Sequence, residues 1–504
     1  MRSPKSTPSE METIWVFGDQ LNRGLGPLAA ASPGSVRILM VESKAKLASK
    51  HWHRQRAHLL IASMRRFASE LVDEGFDVDY RHAASLGSGL EEHRALFKPP
   101  RVLAMEPNSF DAHHLCERLG VTLVRSDQFL CHYDEFAAWS ESKRSVKMED
   151  FYRWQRVRLG YLMDQGEPMG GRWNFDAENR ERPPKDGRAW PEPLRTPLDD
   201  LDRDVMADLP TSCWGADPDG TWPTSRSEAL RRLHYVVTSV LPTFGPHEDA
   251  MLSSSWHLSH TLLSSSLNLG LLLPGEVCDA VDAACRRGAI PLASAEGFIR
   301  QVIGWREYVW GCYWKWMPEY RGVNALDAHR PLPPLFTGSP TSMRCVSHVM
   351  DEVHDHGYAH HIQRLMILGN LGLLAGIEPM ALNEWMWASF VDAAEWVMLP
   401  NVLGMALFAD GGQMATKPYA AGGAFIDKMS DYCGSCRYDR KVRTGPDACP
   451  FTTLYWSFLD RHRDRFARNA RVAQQVAGLG RLSDLDGVRQ RSDDVLAALD
   501  AGEL

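Results

Sequence analysis

The sequence predicts two domains of different class, an N-terminal α/β domain built on a parallel sheet and an all-α domain after it. Three observations carry this reading. Short β-branched or apolar runs alternate with helical patterns between Thr13 and Val124, and from Ser227 to about Arg471 the periodicity is helical with no series of strands. A length of 504 residues with 44% apolar side chains also exceeds what one ordinary core absorbs.

The runs Thr13 to Gly18, Val36 to Val41, Phe76 to Tyr80, Arg101 to Met105 and Val121 to Val124 have the length and composition of buried strands. Between the second and third, Leu59, Leu60, Met64, Phe67 and Leu71 recur at helical spacing within Trp52 to Glu74, which gives a βαβ unit. No G-x-G-x-x-G follows the first strand; the loop reads Gly18-Asp19-Gln20-Leu21. Ligands of open α/β sheets sit at the carboxyl ends of strands, so Asp19 and Glu42 are candidate contacts. The ordinary alternatives are a turn cap for Asp19 and a solvated loop carboxylate for Glu42.

The expected boundaries are 11–163 for the α/β domain, 164–225 for an interdomain connection, and 226–504 for the helical domain. The connection is rich in Pro, Asp and Arg, as in Pro183-Pro184-Lys185-Asp186-Gly187, and should wrap the surface with a few ordered turns near Gly170 to Asp176. Arg461, Arg463, Arg465, Arg468 and Arg471 are expected on the terminal helix, either as a solvated face or as phosphate contacts.

A net charge of −8 argues against nonspecific coating of nucleic acid, while leaving room for a local basic groove. The first dozen residues are polar and contain no signal-like apolar run, so a cytosolic protein with no membrane partner is expected. In that compartment ten cysteines are free thiols or metal ligands rather than disulfides. Cys433-Gly434-Ser435-Cys436 is a C-x-x-C, Cys449 is followed by Pro450, and Cys345 is the nearest upstream candidate for a fourth ligand. A proline directly after a ligand cysteine favours an iron–sulfur cluster, with structural zinc as the rival. The remaining six cysteines read as small buried hydrophobes.

Three adjacent hydroxyls, Ser264, Ser265 and Ser266, sit among leucines, where a diphosphate would satisfy them and Arg306 would neutralise it; local serine-to-carbonyl bonds are the plain alternative. His360, His361, Arg364 and Asn370 share an apolar helix and must be paired, with Asp392 as the partner expected for Arg364. Seventeen tryptophans read mainly as core, and otherwise as stacking or electron-hopping rings.

The runs Ala359 to Asn370, Gly297 to Tyr308, Leu399-Pro400-Asn401-Val402, Lys417-Pro418-Tyr419 and Met429 to Cys433 resemble the iron–sulfur bacterial cryptochromes and (6-4) photolyases. The resemblance extends from Gly18-Asp19-Gln20-Leu21 to the cysteine motif. It implies a Rossmann-like antenna domain followed by an all-α flavin-binding domain, and a monomer acting on UV-damaged DNA. It also implies FAD lined by Ser264, Ser265, Ser266, Gln301, Arg306, Arg364, Asn370, Asp392 and Asn401, and a [4Fe–4S] cluster on Cys345, Cys433, Cys436 and Cys449. His361 matches the lesion-facing histidine and His360 its neighbour. A 6,7-dimethyl-8-ribityllumazine antenna would lie by Asp19 and Gln20, but Lys46 stands where a second antenna-contacting glutamate is typical, leaving Glu42 to compensate.

Met386 replaces a tyrosine of the family's electron-transfer chain, Phe425 a tyrosine near the lesion and Met398 a glutamate. Trp385 is kept, with Trp387 and Trp396 as further relays. The implied activity is blue-light-driven repair of (6-4) photoproducts, a lyase reaction. The rivals are a cryptochrome-like photoreceptor without repair, which the three replacements keep open, and a zinc-stabilised nucleic-acid-binding protein.

Overall fold

A computed structural model describes residues 11–504. Most of the polar leader read above as carrying no signal, residues 1–10, lies outside the described residues.

Five strands, β1 (Glu12–Trp15), β2 (Val36–Ser43), β3 (Asp77–Ala83), β4 (Val102–Met105) and β5 (Thr122–Val124), form one parallel sheet in the order β3-β2-β1-β4-β5. Alternation of side chains across the pleat splits their apolar residues between two layers. Ile14, Ile38 and Met40 pack against helix α1 (Arg54–Asp73) and parts of the helical domain; Trp15, Leu39, Val41 and Ala104 pack with Leu90 of α2 (Leu86–Phe97) and Cys116 of α3 (Phe110–Arg118). The third strand runs three residues past its expected end, because Arg81 and His82 pair in register with Val41 and Glu42. An edge strand tolerates such polar residues, which end an apolar run without ending the ladder.

Helix α1 joins the two domains. Its first residues dock on the helical domain, with the His53 N–H donating to the Ala388 carbonyl at 3.0 Å and Arg56 Nη1 to that of Phe390 at 3.0 Å. Its buried Leu59, Ile61, Met64, Phe67 and Leu71 contribute roughly 1.5–3 kcal/mol each. Leu60, expected on the same stripe, is instead 36% exposed. The stretch from 164 to 225 follows α1 and includes a helix not foreseen, Asp200–Asp208, fixed by Arg66 to Asp199 at 2.7 Å and to Asp202 at 2.8 Å.

From Arg226 onward the chain is helical. The helices used below are α4 (Ser264–Asn268), α5 (Glu307–Trp316), α6 (Arg344–His356), α7 (Pro379–Ser389), α8 (Glu395–Leu399), α9 (Pro450–Arg461) and α10 (Leu485–Ala501). Wider i→i+5 turns interrupt the domain at Val236–Val240, Arg300–Arg306, Arg364–Gly369 and Pro400–Ala406. Such turns are frequent at functional sites, and the last three carry Gln301 with Arg306, Arg364, and Asn401. The arginine series does not share a terminal helix: α9 ends at Arg461, a separate short helix spans Arg463–Phe466, and α10 is the last helix. Among the described residues no helix is long and apolar enough to cross a membrane.

Candidate functional site

Two crevices and one thiol cavity gather the chemistry. The first crevice opens where the strand order reverses, between the carboxyl ends of β1 and β4, as the topology of an open parallel sheet dictates. Asn108 Nδ2 donates to Asp19 Oδ2 at 3.1 Å and to Gln128 Oε1 at 2.9 Å, which leaves the buried Asn108 Oδ1 without a partner. Burial raises the Asp19 pKa, an effect opposed by the Asn108 bond and by Lys46. Asp19 is thus not a simple turn cap. Gln20 donates to the Glu106 carbonyl at 2.9 Å.

Glu42, expected to compensate for Lys46, is engaged within the fold. Its carboxylate accepts from Arg65 at 2.8 and 3.2 Å and from the Tyr80 hydroxyl at 2.5 Å, so both oxygens already hold the sheet to α1. It is neither a free acceptor nor a solvated loop residue. Sequence reasoning missed Asn108 and Glu106, which only the strand order reveals.

The second crevice lies among the helices. Ser264 donates to Asp392 Oδ2 at 2.7 Å, while the Oγ atoms of Ser265 and Ser266 are buried and unpartnered. The local serine-to-carbonyl alternative is therefore not adopted at these positions. Arg306 is anchored on the Leu267 carbonyl at 3.1 Å and on Asn268, and its buried Nε has no acceptor. Arg364 pairs with Asp392 at 2.9 Å, as its burial requires.

His360 is completely buried, neither ring nitrogen has a partner, and its ring stacks at 4.4 Å on His260. His260, which no sequence pattern singles out, also has an unpartnered Nε2. His361, the residue after His360, is exposed at its surface yet crowded enough by surrounding protein to be desolvated. Desolvation first, then nearby cationic groups, hold the pKa of His260 at about 3 and of His361 at about 4, and push that of His360 well down. All three imidazoles are neutral at pH 7.

Other expected contacts are committed elsewhere. Asn370 uses its whole amide on the Ala421 backbone, donating at 2.8 Å and accepting at 3.1 Å, so it positions that loop. Asn401 Nδ2 donates to the Val397 carbonyl of its own helical stretch at 2.7 Å. Gln301 Nε2 donates at 2.8 Å to Glu248, whose carboxyl is pushed up to about 8 chiefly by burial. Gln301 is therefore engaged with Glu248, while the nearby 171–180 stretch is admitted by Gly297: a Cβ there would lie 2.5 Å from Asn179 Nδ2.

The three expected tryptophans point in different directions, as neighbours on helices do. Trp385 meets Phe336 and Phe390; Trp387 carries the Lys50 ammonium 4.5 Å from its ring centre. Trp396 lies under Arg306 at 4.8 Å and continues to Trp310 at 5.7 Å, then Trp314 at 5.5 Å and Tyr133 at 4.8 Å. Met386 and Met398 are buried, and Phe425 is partly so.

Cys345, Cys433, Cys436 and Cys449 line one cavity with Tyr432, Tyr438 and Arg440. All four are free, and no three of their sulfurs lie within 4.8 Å of one another. One tetrahedral zinc would draw four sulfurs to about 3.8 Å of one another, closer than they stand here. Tyr432 also accepts from Gln363 Nε2 at 3.1 Å, and Gln363 Oε1 accepts from the His360 backbone N–H at 3.0 Å, which joins this cavity to the histidine turn. Of the nearby cations, Arg440 is paired with Asp427 and Arg443 with Asp484, leaving Arg437 and Lys441 without an ion pair among the described residues.

Residues 14–215 match the family described as deoxyribodipyrimidine photo-lyase-related protein. The chain is 40% identical over 488 residues to a (6-4) photolyase of Agrobacterium fabrum, covering 94% of this chain and 96% of that one. An uncharacterised protein of Acanthamoeba polyphaga mimivirus is 31% identical over 107 residues, 21% of this chain and 80% of its own length. The fold is that of a bacterial class III photolyase from Agrobacterium tumefaciens, with TM-score 0.60 and 18% identity over 98% of this chain and 99% of that one. A Synechocystis cryptochrome follows with TM-score 0.54 and 14% identity over 79% and 82% of the two chains.

Proposed function

We infer function from kinship and site chemistry together: this chain belongs to the deoxyribodipyrimidine photolyase-related family, and we propose that it repairs (6-4) pyrimidine–pyrimidone photoproducts in DNA under blue light. The observation that carries the reading is the cluster of buried polar atoms without partners on Ser265, Ser266, Arg306, His260 and His360 in the helical domain. Buried polar groups without partners are costly, and FAD, with a diphosphate and a polar ring system, is a group that satisfies them.

In this reading Ser265 and Ser266 donate to the cofactor's phosphates and Arg306 neutralises them, while the Arg364–Asp392 pair fixes the crevice wall. The chemistry that bound, reduced FAD would supply here is photoexcited electron donation to the lesion. His361, exposed at its surface, faces a lesion flipped out of the duplex and moves the proton that accompanies oxygen transfer. The neutral His260–His360 stack excludes water behind it. The four cysteines hold a [4Fe–4S] cluster; that all four line one cavity, with sulfurs spread wider than one zinc would hold them, supports that choice over zinc. The indoles of Trp396, Trp310 and Trp314 form the best-spaced aromatic route from Arg306 outward.

The test is light-dependent repair of an oligonucleotide bearing one (6-4) lesion, with prereduced protein and a dark control. Restored pyrimidines in the light alone are expected. Intact flavin and cluster bands with no repair would turn the reading to the cryptochrome-like photoreceptor.

The sheet crevice is proposed to take the ribityllumazine antenna weakly, through Asp19, Gln20 and Asn108. Removing an acceptor that bonds a ligand costs about 1.5–3 kcal/mol where charge is involved, or about 10- to 150-fold in affinity. Asp19→Ala should lower the antenna content of reconstituted protein by that order, and Lys46→Glu should raise it; lumazine fluorescence released on denaturation measures both. Equal content in all three proteins would show that the crevice is not the antenna site.

A further inference from the structure

Helix α3, on the α/β domain, carries ligand-type atoms that repair leaves unused. One ring nitrogen each of His113 and His114 and a carboxylate oxygen of Glu117 lie within 4.8 Å of one another. His113 Nδ1 is 3.6 Å from Glu117 Oε1, and His114 Nε2 is 4.0 Å from Oε2. These separations are too long for good hydrogen bonds. They are a little wider than the roughly 3.4 Å between donors around a tetrahedral ion bound at about 2.1 Å. We propose that α3 holds a divalent transition-metal ion of the zinc class, with His113, His114 and Glu117 as protein ligands and water completing the shell.

The surroundings prepare the two rings for this task. His114 Nδ1 lies 2.9 Å from the Phe110 carbonyl, so Nδ1 carries the proton and donates, and Nε2 is left with its lone pair toward Glu117. A backbone carbonyl on the far nitrogen is the usual way a metal-binding imidazole is oriented. His113 Nδ1 is buried and has no hydrogen-bond partner, although a carboxylate oxygen stands just beyond hydrogen-bond reach. A cation between that nitrogen and the carboxylate supplies what both lack. Glu117 is four residues after His113 and three after His114, so one carboxylate meets both rings on the same helical face.

The helix itself is held from the neighbouring domain. The Phe110 N–H donates to the Tyr313 hydroxyl at 2.8 Å, and Arg321 grips both oxygens of Asp111 at 3.0 Å. Two imidazoles with one carboxylate select zinc, nickel or copper rather than magnesium or calcium, which prefer oxygen shells. The His113 ring is 5.6 Å from that of Trp314, which makes the indole a built-in reporter of a paramagnetic ion.

The experiment uses the full-length protein with its flavin and cluster in place. Titration with zinc chloride, followed by calorimetry, should show one saturable equivalent, and copper(II) chloride should quench tryptophan fluorescence at the same stoichiometry. His114→Ala and Glu117→Gln should each weaken zinc binding by at least about tenfold, with flavin and cluster absorbance unchanged. Absence of saturable zinc binding, or equal affinity in both variants, overturns the assignment.

Discussion

His361→Ala is expected to lose light-driven repair by about two to four orders of magnitude, the span that a positioned proton-transfer group typically contributes, while flavin and cluster absorbance stay at wild-type levels. The residue is exposed, so removal of its side chain opens no cavity in the core. His360→Ala is the contrasting variant, because that ring is fully buried and stacked on His260, and truncation there should reduce flavin retention as well as repair. The pH dependence follows from the imidazole. In the free chain crowding holds the His361 pKa at about 4, so the charged form is scarce at neutral pH. The phosphates of bound DNA favour the cation and raise that value. As a proton donor His361 works below its pKa, so repair by wild-type protein should fall as pH rises from about 5 to about 9, and the fall should shift to lower pH in high salt, which screens the phosphates. Single-turnover repair across pH measures this. A flat profile, or wild-type repair by the alanine variant, would remove the histidine from the chemistry.

The parts of the fold that were legible share a physical origin. Strands covered on both faces are compelled to be continuous apolar runs, and a helix over a sheet is compelled to show a stripe, so the parallel sheet and α1 could be read directly. Arg81 and His82 hid the end of β3 because an edge strand imposes no such demand. The arginine series looked like one helix because charge periodicity carries no sign of the break after Arg461.

Within the sites, the Arg364–Asp392 pair followed from the cost of a buried charge, which identifies its own remedy. Long-range partners had no such trace. Glu42 became a structural residue only through Arg65 and Tyr80, Asn370 only through Ala421, and His260 joined His360 across a hundred residues of intervening chain. Asn108 needed the strand order β3-β2-β1-β4-β5 to place it beside Asp19.

Cys436→Ala should lower the yield of soluble protein at least about tenfold, because the cavity it lines is the junction on which the surrounding irregular segment depends. Between Tyr432 and Cys449 the chain has only a single short helix, Tyr432–Ser435, and relies on a few side-chain ties. Asp431 accepts from Ser253, Tyr432 from Gln363, and Arg440 and Arg443 reach Asp427 and Asp484. The two partly exposed ion pairs contribute little, about 0–1 kcal/mol each, and a single hydrogen bond adds only about 0.5–1.5 kcal/mol. A structural metal centre can contribute on the order of 10 kcal/mol, comparable to the whole stability of a domain at about 5–15 kcal/mol. Loss of one ligand should therefore release the segment, and the Tyr432–Gln363 contact should carry the disturbance to the His360 backbone. Cys213→Ala is the control, since that thiol packs near Val205 and Leu209 against α1. Iron and sulfide content, soluble yield and thermal unfolding of the two variants settle the point. Wild-type yield and melting temperature for Cys436→Ala would mean that the segment does not depend on a metal centre ligated by this thiol.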